Sequence, residues 1–169
     1  LVGDRLTPPT TVGTALILHG AGQSTAAGFA ELRAYLGAQH IETLVFDCVG
    51  HGKTGGAQLG TTLAERVDQL ATVVQAQKLG THPFTLMGFS MGAYVAMKSA
   101  AALGAERLCL AIPAAYAPQA FSVPFGPQFS AVLRAPRSWE HSDAFDLVST
   151  YTGDLLVISA EQDLSIPHE

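Results

Sequence analysis

One serine is set apart by its neighbours. Ser90 lies between two glycines in Gly88-Phe89-Ser90-Met91-Gly92, where the apolar run "FTLMGFS" (84–90) meets the alanine-rich run "MGAYVAMKSAAALG" (91–104). The first run reads as a strand and the second as a helix. Gly-x-Ser-x-Gly at a strand-to-helix junction is the pattern of a nucleophile elbow. Such a turn is sharp, and Gly88 and Gly92 remove side chains that would clash there. It exposes the serine hydroxyl and puts the Met91 N–H at a helix N-terminus, where negative charge is favoured. A strand–helix turn that merely carries a serine is the alternative, and the flanking elements argue against it.

Attack on a carbonyl by such a serine creates an oxyanion, which needs two donors aimed at one point. Met91 N–H is one candidate. The other is Ala21 N–H, in the glycine-flanked loop His19-Gly20-Ala21-Gly22 that ends the run "TALILHG" (14–20). His19 stands at the wrong chain position for a base and reads as a brace for that loop. "FDCVGHGKTGG" (46–56) supplies His51, either at a pocket mouth or as loop packing. Its glycines do not have the spacing of a phosphate loop. "LLVISAEQDLSIPHE" (155–169) runs an apolar strand into acidic residues. A carboxylate there, downstream of the serine, fits the order Ser…Asp/Glu…His, and its work is to orient an imidazole. Asp163 is the choice, with Glu161 the alternative and a plain solvated turn the competing reading.

Five apolar runs must position these groups: 14–20, 43–47, 84–90, 107–113 and 154–163. Helical patterns fall between them. Phe29, Leu32 and Leu36 recur before Gly37 as a stop. Leu63, Val67, Leu70 and Val74 mark one face, with a Thr62–Glu65 capping box before it and Gly80 as its end. The alternation predicts an α/β fold, a mostly parallel sheet with helices on both faces. Residues 117–150 break the rhythm with four prolines and short helical patches near 128–134 and 140–148. They read as a short cap-like excursion within one domain spanning 1–169, or as a plain surface connection.

Composition agrees. Apolar residues make up 48% and charged residues 14%, which suits buried parallel strands and not disorder. The net charge of −5, without a basic cluster, argues against a nucleic-acid partner. Cys48 and Cys109 lie far apart and away from metal-ligand spacing, so both read as buried hydrophobes. No apolar run reaches transmembrane length. No signal peptide is visible, which leans towards the cytoplasm, although the chain starts at Leu1. Nothing fixes an oligomeric state.

The chain resembles the α/β-hydrolase fold family, nearest its monoacylglycerol lipase and serine aminopeptidase-like branch. The resemblance rests on "HGAG" (19–22), "DCVGHGKTGG" (47–56), "GFSMG" (88–92) and "SAEQDLSIP" (159–167), and extends from about Thr14 onward. It implies Ser90 as nucleophile, Asp163 as acid, Ala21 and Met91 as oxyanion donors, no metal and no cofactor. One part of the family pattern lacks a counterpart. The family's histidine follows the acid by one more strand, whereas this sequence runs six residues past Asp163 and His168 sits close to the acid. Two expectations follow. Either the chain is C-terminally truncated and the base lies beyond it, which we favour, or it is a small protein without that base. The expected activity is cleavage of a small-molecule carboxylic ester. Phe121, Phe125, Phe129 and Trp139 in the excursion suggest an apolar acyl or aryl group, unless they simply pack. A thioesterase, a peptidase and a non-catalytic binding module are the alternatives.

Overall fold

The computed structural model describes residues 1–161. Its strands are β1 (Val2–Leu6), β2 (Gly13–Leu18), β3 (Ile41–Asp47), β4 (Thr85–Phe89), β5 (Arg107–Ala111) and β6 (Asp154–Ile158). Its helices are α1 (Ala30–Ala38), α2 (Leu63–Ala76), α3 (Met91–Leu103), α4 (Pro127–Arg134) and α5 (Ala144–Thr150). The strands form one mixed sheet in the order β1-β3-β2-β4-β5-β6. β1 runs antiparallel to β3, and every other pairing is parallel. This is the α/β architecture expected from the alternation, and the five apolar runs are β2 to β6.

The register explains why those runs are apolar. Leu44, Leu16, Leu86, Leu108 and Leu155 are successive Cα partners across five strands. The first four sit in the core with Leu63, Leu70 and Val74 of α2 and Tyr94 and Met97 of α3. Burying each such leucine contributes ~2 kcal/mol. The helix between each pair of parallel strands is required by the connection itself, since parallel neighbours need a crossover. Cys48 and Cys109 are both free and buried.

Two helix ends differ from expectation. α1 continues through Gly37. A Cβ there would come 2.8 Å from Leu6 Cδ2, so the glycine admits β1 instead of ending the helix. The chain turns at His40, whose φ is 62°. α2 ends at Ala76, short of Gly80, and Lys78 takes the left-handed conformation. The Thr62–Glu65 capping box is present. Thr62 Oγ1 accepts from the Glu65 N–H at 3.1 Å and Glu65 Oε2 accepts from the Thr62 N–H at 3.0 Å. The buried face of α2 carries Arg66 where Val67 was expected, and Val67 is half-buried.

The irregular stretch forms a 3-10 turn (Pro118–Ser122), α4 and α5. It is fastened to α3 by Asp143, which accepts from Tyr94 Oη at 2.9 Å and from Lys98 Nζ at 2.6 Å. Phe125 and Phe129 are buried in the core cluster, their rings 4.8 Å apart. Trp139 remains 40% exposed.

Candidate active site

Ser90 separates β4 from α3 and has φ 53° and ψ −117°. This region is strained for a residue with a Cβ and costs ~1–3 kcal/mol, a load characteristic of functional turns. The surroundings hold it in place. The Ser90 N–H donates to Ala111 O at 3.0 Å, and Ser90 O accepts from the N–H groups of Ala93 and Ala114. The strain therefore falls on the serine and not on the flanking glycines.

The glycines serve close approach. A Cβ on Gly88 would lie 2.4 Å from Ala93 Cα, and one on Gly92 would lie 2.5 Å from His19 O. Gly92 thus lets the first turn of α3 press against the end of β2. Across that contact, a Cβ on Gly20 would meet Phe89 O and Ser90 Cβ at 3.3 Å. The His19–Gly22 loop and the serine turn are in direct contact, which brings Ala21, Ser90 and Met91 into one neighbourhood. Phe89 and Phe29 add a half-buried aromatic pair beside Ser90, with centroids 4.8 Å apart.

His19 and His51 are both buried, and both rings are fully engaged. His19 Nε2 accepts from the Cys48 N–H at 3.0 Å, and its Nδ1 donates to Gly20 O at 2.7 Å. His51 Nε2 accepts from Arg66 Nη2 at 2.6 Å, and its Nδ1 donates to Ser24 O at 2.9 Å. These tautomers follow from the partners, since a backbone N–H and a guanidinium only donate. The rings are 4.5 Å apart. Burial pushes the His19 imidazolium down to about 4, and His51 and Arg66 push the same way. His51 is lowered by burial and then by Arg66. Both are thus held neutral. His19 braces the loop as expected, and His51 is buried and packs against it.

Asp47, buried at the end of β3, ties two further loops together. Its Oδ1 accepts from the Ala26 N–H at 2.7 Å and its Oδ2 from the Lys53 N–H at 2.8 Å. The sequence marked Asp47 only as a strand end, and Arg66 carried no signal at all. An arginine within an amphipathic helix ordinarily reads as its solvent face.

Asp163 and His168 lie outside the described residues. Glu161 is exposed, just past β6. Among the described residues, no histidine bonds Ser90 Oγ and no cluster of side chains suits a metal ion. Nor is any helix there long and apolar enough to cross a membrane.

A family model described as the alpha/beta hydrolase family matches residues 15–165. The chain belongs to that family. No curated protein matches it. Among solved structures it is similar to Est1E from Butyrivibrio proteoclasticus with ferulic acid bound, at 24% identity and TM-score 0.74, covering 99% of this chain and 77% of that one. It is similar to a monoacylglycerol lipase from Paleococcus ferrophilus at 21% identity and TM-score 0.61, covering 78% and 48%. A serine hydrolase without a lid from Xanthomonas campestris matches at 20% identity and TM-score 0.58, covering 93% and 76%. The chain thus spans about half the length of the lipase and three quarters of the other two. Its structural neighbours include esterases and lipases, and at these identities the likeness is one of fold.

Proposed function

We propose that the chain carries the nucleophile and oxyanion machinery of a serine hydrolase acting on carboxylic esters. The observation that carries this reading is the strained turn at Ser90, set at the start of α3 and in contact with Gly20. Strain of this kind is kept where the surrounding structure over-determines it for a purpose. On this reading Ser90 Oγ attacks the ester carbonyl carbon and its proton passes to a histidine. The Ala21 and Met91 N–H groups hold the oxyanion, and each such donor contributes ~3 kcal/mol to lowering the barrier. Collapse expels the alcohol and leaves an acyl group on Ser90, and water then releases the acid. Asp163 is the proposed acid. The base is a histidine downstream of it in the family's chain order.

An apolar acyl or aryl group is the proposed substrate feature. Phe125 and Phe129 lend it no support, because both are committed to the core. The Phe29–Phe89 pair beside Ser90 supports it instead. The ferulic acid held by Est1E is an aromatic acid of the kind such a wall would accept. A thioester or a peptide bond would use the same groups. The second reading, a binding module without catalysis, draws on the lack of any described histidine at Ser90 Oγ.

Hydrolysis of p-nitrophenyl acyl esters separates the readings. The full-length protein should turn them over, and Ser90→Ala should lower kcat by ~10⁶-fold. No turnover by the folded full-length protein would favour the module, and turnover unaffected by Ser90→Ala would overturn Ser90 as the nucleophile.

A further inference from the structure

Arg66 is an expensive residue in its position. Its side chain comes from the buried face of α2 and is 3% exposed. Among the described residues no carboxylate forms an ion pair with it, and its Nε and Nη1 lack hydrogen-bond partners. Its guanidinium lies 5.3 Å from the Phe125 ring centroid, which offsets part of the desolvation. A buried cation without a counter-ion still costs several kcal/mol, and a leucine would fill this helix position more cheaply. No ligand reaches the two unpaired nitrogens, since both are sealed from solvent. Its shortest hydrogen bond runs from Nη2 to His51 Nε2, at 2.6 Å, and its guanidinium also interacts with the Cys48 thiol.

That bond has a geometric consequence. Because Arg66 can only donate, His51 must present a bare Nε2 and carry its proton on Nδ1. The Nδ1–H then pins Ser24 O. His19 repeats the pattern one step closer to Ser90, where the Cys48 N–H fixes the tautomer and Nδ1–H pins Gly20 O. The loop is closed on itself by the Ser24 N–H, which donates to Ala21 O. Residues 20–24 are thus fastened at a carbonyl near each end. A trans peptide points its C=O and N–H in opposite directions. Holding Gly20 O therefore aims the Ala21 N–H, and holding Ser24 O keeps the rest of the loop from rotating it away. The charged and titratable groups around His51 are Arg66, His19, Asp47 and the Cys48 thiol.

We propose that Arg66 is a positioning residue which, by fixing the His51 tautomer, fastens the Ser24 end of the loop and so keeps the Ala21 N–H in the direction that His19 gives it beside Ser90. The functional part of this inference rests on Ala21 being an oxyanion donor. The structural part does not.

The test is ¹⁵N NMR of the histidine rings, together with residual dipolar couplings of the Ala21 and Gly22 N–H groups, on the wild-type chain, Arg66→Leu and Arg66→Lys. In the wild type His51 should be the neutral Nδ1–H tautomer and stay so over a pH range that reaches below its ordinary value of 6.5. In Arg66→Leu it should shift to the Nε2–H tautomer or take up a proton within that range, and the Ala21 coupling should average towards zero. Arg66→Lys keeps a donor-only head group, and should restore both signals. A wild-type His51 in the Nε2–H form would overturn the proposal. So would Arg66→Leu with an unchanged Ala21 coupling, or Arg66→Lys behaving like Arg66→Leu. If Arg66→Leu does not fold, the wild type and Arg66→Lys decide through the tautomer and coupling.

The rate at which a fluorophosphonate labels Ser90 should fall roughly 10- to 100-fold in Arg66→Leu and recover in Arg66→Lys. A Ser90 that never labels while the NMR pattern holds would count against the hydrolase reading alone. Loss of the NMR pattern would count against the positioning role alone.

Discussion

The two flanks of the sheet around β4 are finished differently. On the β2–β3 side, Leu16 is 0% and Leu44 4% exposed, and the strand ends are tied by His19, Asp47, His51 and Arg66. On the β6 side, Leu155, from the same cross-strand row, is 39% exposed and Leu156 is 56% exposed. Leucine content is similar on both sides, so the difference lies in what covers the strands. The flank that presents the proposed oxyanion loop is complete in packing and hydrogen bonding. The flank that leads to the proposed acid presents bare apolar strand on the described residues.

Paired truncations probe that contrast with the largest expected effect. Leu86→Ala, in the covered part of the row, should cost ~2–5 kcal/mol in urea unfolding. Leu155→Ala, in the same row on β6, should cost about 1 kcal/mol or less. Equal costs would mean that β6 is covered in solution and would remove the distinction.

Acid should act on the finished flank first. The folded-state value for His19, about 4, lies below its ordinary value of 6.5. Above 6.5 the ring is neutral in both states and its contribution to stability is complete. As pH falls from 6.5 towards 4 the unfolded chain takes up a proton that the folded chain refuses, so stability declines. The loss is on the order of 3 kcal/mol at most. His51 is shifted in the same direction and adds to it. Unfolding midpoints at pH 7 and pH 4.5 measure the drop, and His19→Gln should shrink it.

Smaller effects locate strain and fastening. Ser90→Gly should raise stability by about 1 kcal/mol, since glycine accepts a positive φ without the load that serine bears. A fall in Tm would show that the turn is relaxed. On the other side of α3, Asp143→Asn should lose about 1 kcal/mol by weakening the Tyr94 and Lys98 bonds to the excursion. An unchanged Tm would leave that segment held by Phe125 and Phe129 alone.

The same contrast runs through what the sequence disclosed. The five parallel strands were legible because a strand covered on both faces must be apolar throughout. β6 carries the same apolar signal, and among the described residues it forms one edge of the sheet. β1 was missed because Gly3, Asp4 and Arg5 suit an edge strand exposed to water and break the apolar pattern. The serine turn was legible because Gly88 and Gly92 mark close backbone approaches at fixed spacing. Arg66 was not, because its meaning depends on His51, fifteen positions away, and on a loop that only the tertiary fold brings near. Asp47 was hidden for a similar reason: its partners, Ala26 and Lys53, are backbone N–H groups and leave no trace in residue type. The capping box, a wholly local device, was read correctly.

The whole account turns on whether the strained serine is chemically activated. Exposing the folded full-length protein to a fluorophosphonate and mapping the adduct by mass spectrometry asks this at one residue. The account predicts a single phosphonylated site, Ser90, that is absent in Ser90→Ala and lost when the protein is unfolded before exposure. A folded protein that stays unlabelled, or one labelled at another residue with Ser90 untouched, would contradict it.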